Sequence, residues 1–214
     1  MTPLRAVALN CTLKRSPAET STGLILGDVN RALAAVGVVT SEPIRIADHA
    51  VLPGVSSDEG EGDDWPQIRR QILDADILVF GTPIWLGHAS SLAQRVLERM
   101  DAFLAETDDV GRLVSYGRVA IIAVVGNEDG AHHVTAELAQ GLNDVGFTVA
   151  AAAATYWVGE AMASKDYKDF ADPPERTATA TATAAVNGAH LAELLRASPY
   201  PALDPRVESA GRTR

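Results

Sequence analysis

Val119-Ala-Ile-Ile-Ala-Val-Val-Gly-Asn-Glu-Asp-Gly130 runs from an unbroken apolar segment straight into a polar turn bounded by glycines. A strand wetted on one face alternates apolar and polar residues, whereas one covered on both faces reads as a continuous apolar run. Val119 to Val125 is therefore a strand buried on both faces, the form found in parallel sheets. Past the turn, Val134, Leu138, Leu142 and Val145 recur at helical spacing until Gly146, where the helix should stop. Strand, loop and helix in that order are the repeating unit of an α/β fold.

The same unit occurs upstream. Ile77-Leu-Val-Phe80 is closed by Gly81-Thr-Pro83, and Ser90 or Ser91 can cap a helix holding Leu92, Val96, Leu97, Met100 and Phe103. Arg5 to Asn10 is the first strand, and after the loop Cys11 to Ser21 a helix carries Leu24, Ile25, Val29, Leu33 and Val36 up to Gly37. Glu42 to Ala47 reads as the second strand, and Val55 to Asp64 as an exposed polar loop. Trp65 to Leu73 is a helix with Pro66 in its first turn. Phe147 to Ala152 is the fifth strand, Tyr156 to Pro174 a long loop. A last helix runs from about Pro174 to Arg196 across an alternating Thr/Ala stretch, since alanine is the best helix former. Residues 198–214 show no periodicity and read as a mobile or partner-embracing tail, leaving 1–197 as one domain. Strands alternating with helices imply right-handed crossovers and a three-layer α/β/α sandwich around a five-stranded parallel sheet. In such sheets ligands sit outside the carboxyl ends of the strands, so the loops after the first, third and fourth strands are where function is expected.

Composition narrows the classes. The 214 residues are 47% hydrophobic with a formal net charge of −10, which suits one sizeable core and argues against a nucleic-acid partner. One cysteine, Cys11, forms no intramolecular disulfide and supplies no cysteine cluster for zinc or iron–sulfur. No export leader or membrane span is expected, and a reducing cytoplasm is the natural compartment.

In the first loop, Thr12, Lys14, Ser16, Ser21 and Thr22 gather hydroxyls and a cation between a strand end and a helix start. That is the composition of a phosphate cradle, because a helix N-terminus offers unpaired N–H groups and partial positive charge. An ordinary helix cap by Thr20 or Ser21 on a solvated loop is the alternative. A Cys after the first strand can be a phosphatase nucleophile, but the Cys, five residues, Arg spacing of low-molecular-weight tyrosine phosphatases is not met: Pro17 stands where Arg is needed. The dinucleotide glycine fingerprint is also missing from this loop. His132 and His133 are adjacent and point about a quarter-turn apart on a helix, so this pair makes no metal site and no metal is expected.

The second loop, Gly81-Thr-Pro-Ile-Trp-Leu-Gly87, resembles the Thr-Pro-x-(Trp/Tyr) loop of the NADPH-dependent FMN reductase and flavodoxin-like NAD(P)H:quinone reductase family. The third loop, Gly126-Asn-Glu-Asp-Gly130, resembles its Gly-Asn-x-(Asp/Glu)-Gly turn. The resemblance spans about residues 4–158 and implies a flavodoxin-like sheet of order 2-1-3-4-5. It departs in the first loop, where many members read Gly-Ser-x-Arg…Ser-Asn-Thr, so phosphate contacts rest less on the family than ring contacts do. It further implies that Thr82, Pro83, Ile84, Trp85, Leu86 and Gly87 and then Gly126, Asn127, Glu128, Asp129 and Gly130 meet the isoalloxazine ring of FMN. Trp85 supplies stacking area or is a core residue at a helix entry; His133 contacts flavin or substrate or is a surface histidine. The implied activity passes hydride from NADPH or NADH to the flavin N5 and on to a quinone, a nitro or azo compound or free flavin, with no catalytic side chain. The alternative is a flavodoxin-type electron carrier serving a protein partner. A homodimer or homotetramer is also implied, with Tyr156-Trp-Val-Gly159 closing a pocket.

Overall fold

The computed structural model describes residues 2–212. Its centre is β6 (Val119–Gly126), buried along nearly its whole length. It pairs in parallel with β4 (Ile77–Trp85) on one side and β7 (Thr148–Val158) on the other. Beyond β4 lies β1 (Arg5–Asn10), flanked by two short strands, β2 (Val39–Thr40) and β3 (Ile44–Arg45), both parallel to it. The path β2-β1-β4-β6-β7 is the expected order 2-1-3-4-5 once β2 and β3 are read as one interrupted second strand. That is the flavodoxin-like arrangement.

Side chains alternate across this sheet and feed two cores. On one face Leu78, Phe80, Ile122 and Val124 meet α2 (Trp65–Leu73), α3 (Ser91–Met100) and α4 (Ala131–Asp144). On the other, Ile77, Val79, Val119 and Ile121 meet α1 (Ser21–Ala35) and α5 (Glu175–Ala197). The Thr/Ala stretch is helical because small residues let α5 lie close on the sheet: a Cβ added at Gly188 would stand 2.8 Å from the Ile121 side chain. Buried threonines there are satisfied, Thr155 Oγ1 lying 2.8 Å from Thr181 Oγ1.

Besides the second strand, which is split into Val39–Thr40 and Ile44–Arg45 with a 3-10 turn at Ile46–Asp48 in place of one strand from Glu42 to Ala47, three elements differ from the sequence reading. The fifth strand continues through Tyr156 to Val158, after an irregularity at which Ala152 adopts a φ of 53°. The long loop shrinks accordingly and carries a 3-10 turn, Tyr167–Asp169. A two-stranded hairpin replaces the simple loop after β4, with β5 (His88–Ala89) turning back antiparallel onto Ile84 and Trp85. The tail contains a helix, α6 (Pro205–Arg212), and Tyr200 packs edge-on against Tyr116 at 5.6 Å; residues 213–214 lie outside the described residues. Among the described residues no helix is long and apolar enough to cross a membrane.

Candidate functional site

Asn10 closes β1, and from there the chain enters the first loop. Its Oδ1 accepts the Thr12 N–H at 3.1 Å, and Thr12 Oγ1 in turn accepts the Lys14 N–H at 3.4 Å. The far limb of the loop is held from outside: Arg45 Nη1 donates to the Ala18 carbonyl at 2.8 Å. Thr20 then caps α1, its side chain accepting the Gly23 N–H at 3.0 Å, so the ordinary cap is realised. The cap leaves a cradle beside it, because Ser21 and Thr22 keep backbone N–H groups that have no acceptor within the helix.

These groups open onto one cleft of about 160 Å³ at the carboxyl edge of the sheet. Its lining joins Thr12, Lys14, Ser21 and Thr22 to Pro83, Ile84, Trp85 and Gly126. The fold thus brings members of all three anticipated loops around one concavity. Trp85 is 53% exposed there, which makes it a rim residue and not a core one. Ile84 is buried beneath it, against Gly126, where an added Cβ would stand 2.9 Å from Ile84 Cβ.

The remaining anticipated residues stand outside this lining and serve the loops themselves. Ser16 faces a larger, separate concavity of about 750 Å³, and its N–H and hydroxyl bind Asp48 at 2.8 and 2.6 Å. These bonds hold the Asp48 carboxyl below its ordinary range. Thr82 is fully buried, donating to the Pro83 carbonyl at 3.0 Å and accepting the Ser90 N–H at 3.1 Å. Glu128 accepts the Leu86 N–H at 2.9 Å and so ties the third loop to the second. Gly130 abuts Gly87, whose Cα would lie 2.8 Å from an added Cβ; glycine is required here for loop packing. Leu86 and Gly87 form the hairpin turn, both at positive φ (52° and 78°). Asp129 accepts the Gly130 N–H at 2.7 Å. Asn127 donates to Asp166 at 2.7 Å, while its own Oδ1 is buried without a partner. His133 turns away from the cleft toward His88, Nε2 to Nδ1 3.3 Å.

Sequence reasoning missed Asp166 and Lys168, which also line the cleft. They arrive on the turn after β7, and the Lys168 N–H bonds Ser21 Oγ at 3.3 Å. No local motif marks them. Tyr156 and Trp157 do not enter the lining: Tyr156 OH lies 2.9 Å from His132 Nε2, and Trp157 packs on Tyr167 and Phe170 at 5.8 and 5.6 Å. Cys11 is fully buried and burial pushes its thiol far up, which removes it as a nucleophile.

Comparison with known proteins adds to this geometry. The family model described as NADPH-dependent FMN reductase matches residues 5–162. The 8-demethyl-8-aminoriboflavin-5′-phosphate synthase of Streptomyces davaonensis is 33% identical over 207 residues, covering 92% of this chain and 80% of that protein. The divalent metal cation transporter MntH of Mycobacterium bovis is 36% identical over 201 residues, or 91% of this chain; the chain spans only 29% of that protein's length. Among solved structures, RosB with bound 8-demethyl-8-formylriboflavin-5′-phosphate superposes with a TM-score of 0.86 at 31% identity, covering 98% of this chain and 86% of that one.

Proposed function

Since the chain belongs to the NADPH-dependent FMN reductase family, we propose that it binds FMN in the cleft at the α1 N-terminus and works as an oxidoreductase drawing on NADPH or NADH. The acceptor is a small molecule of the quinone, nitro, azo or free-flavin kind. The observation that carries this reading is the polarity of the cleft. Its lining combines the α1 N-terminus, Thr12, Lys14, Ser21, Thr22 and Lys168 with the apolar side chains of Pro83, Ile84 and Trp85. A molecule with a phosphate at one end and a planar ring at the other matches both.

Bound FMN supplies the hydride and single-electron chemistry. The chain's part is positioning. Lys14, Lys168 and the helix N–H groups hold the phosphate, and Trp85 offers the ring a face. Glu128 and Gly130 lock the second loop to the third so that the platform keeps its place. Asp166, the carboxylate in the lining, accepts a hydrogen bond from the Asn127 amide at 2.7 Å. The enclosed volume of about 160 Å³ lies below the roughly 300–1,000 Å³ of pockets that engulf a ligand.

A second reading is favoured by the likeness to the flavin-phosphate synthase and to RosB: the flavin phosphate is itself the substrate and leaves chemically altered. One preparation tests both. The visible spectrum after FMN addition and desalting, repeated anaerobically with NADPH, is expected to show retained flavin that bleaches. Flavin inert to NADPH and NADH favours an electron carrier, and absence of FMN binding by titration overturns the cleft assignment. Mass spectrometry of the flavin after aerobic incubation decides the second reading, since a mass unchanged from FMN rejects it under the conditions used.

A further inference from the structure

On the far side of the Trp85 hairpin, three side chains from two elements converge. His88 opens β5, while His133 and Glu137 stand one turn apart on α4. His88 Nδ1 lies 3.3 Å from His133 Nε2 and 3.2 Å from Glu137 Oε1. His133 Nε2 lies 3.0 Å from the same Oε1. Protons alone do not satisfy this triangle. If both imidazole nitrogens donate to the carboxylate, two N–H groups face each other across the remaining edge. If one donates to the other, a lone pair is left against the carboxylate oxygen. A cation seated off the plane of the three atoms can take a lone pair from each.

The dimensions agree with that. Ligands at about 2.0–2.1 Å from a tetrahedral zinc ion are about 3.3–3.4 Å apart, close to the edges found here. Two imidazoles and one carboxylate suit first-row transition ions and not the oxygen-preferring Ca²⁺ or Mg²⁺. The side chains are 64%, 55% and 38% exposed for His88, His133 and Glu137, so an ion has an open approach and water can complete its coordination.

We propose that His88 Nδ1, His133 Nε2 and Glu137 Oε1 bind a divalent first-row transition-metal ion, best matched by Zn²⁺, which ties the hairpin bearing Trp85 to α4. The three ligands lie outside the cleft lining, so metal binding is measured without flavin and stands or falls separately from the proposed function. Its test is a titration of the metal-stripped full-length protein with Co²⁺, followed by the visible absorption of the bound ion and its displacement by Zn²⁺. One equivalent is expected. His88→Ala, His133→Ala and Glu137→Gln should each weaken binding tenfold or more, whereas His132→Ala leaves the titration unchanged. Circular dichroism of each variant checks that the fold is retained, which exposed positions favour. No saturable absorption, or a titration that survives any one of the three ligand substitutions, overturns the proposal.

Discussion

Trp85 carries more of the proposed site than any other side chain, because it is large, half-exposed and fixed at the end of a buried strand. Removing it by Trp85→Ala deletes stacking area without opening the core, so FMN affinity is expected to fall about tenfold, or about 1.4 kcal/mol. Fluorescence titration reads this, and unchanged affinity would count against the stacking role. Its neighbour Leu86 holds a φ of 52° while 89% exposed. A leucine gains nothing there to offset a left-handed cost of roughly 1–2 kcal/mol, and asparagine tolerates that region better. Leu86→Asn should therefore raise unfolding stability in urea by about 0.5–1 kcal/mol. A destabilised variant would mean that the leucine makes contacts in solution that this turn geometry does not require. At this scale the sequence is legible where a residue's role is local: the proline and tryptophan of the second loop are visible from their order alone. Lys168 and His88 are not, because each gains its neighbours only when distant segments meet.

Elements were easiest to read where periodicity was uninterrupted, as in β1, β6 and α4, and hardest where the chain bends. The fifth strand fades into alanines at the irregularity around Ala152 and then resumes, so sequence alone stops it too early. The short β2 and β3 share one edge of β1 and look like a single strand. The acidic loop 55–64 is exposed as its composition suggests, yet it is pinned by a buried cation. Arg99, on α3, donates to the carbonyls of Leu52 (2.8 Å) and Ser56 (3.0 and 3.1 Å) and to Asp63 at 2.7 Å, both charged side chains being fully buried. Burial alone would raise the Asp63 carboxyl, but Arg99 and the N–H groups of Glu59, Trp65 and Leu52 outweigh it and hold it at about 2. Its unfolded value is about 3.9. A depressed carboxyl stabilises the fold above the unfolded value, and that contribution fades as pH falls from about 4 toward about 2. Asp63→Asn removes the carboxylate paired with the buried Arg99 and should cost about 3–5 kcal/mol at pH 7. Denaturant unfolding at pH 7 and across the acid range checks both statements; a loss under about 1 kcal/mol would mean that water reaches the guanidinium.

For the molecule as a whole, the parallel sheet and the meeting of loops at its carboxyl edge follow from alternating buried strands and helices, whereas the strand order is legible only through the family resemblance. The charge pattern within the site was only half legible. A chain of net charge −10 repels an anion in general, and the cleft sets against that Lys14, the α1 N-terminus and Lys168, whose N–H bonds Ser21 from 147 positions away and whose Nζ lies 3.3 Å from Asp169 Oδ1. If this junction reads the phosphate, FMN and riboflavin must be told apart by it, since they differ only at that end. FMN at a hundred times its Kd should stabilise the fold by about 2.7 kcal/mol, and riboflavin at equal concentration by clearly less. Lys168→Ala should then weaken FMN by about five- to tenfold, or about 1–1.4 kcal/mol, and leave riboflavin unmoved. Thermal shift and calorimetry on both ligands make the comparison. An equal loss for the two would place Lys168 in loop structure alone. A loss confined to FMN means that the turn after β7 completes the phosphate cradle, so that the α1 N-terminus binds its anion only once the chain has closed over it.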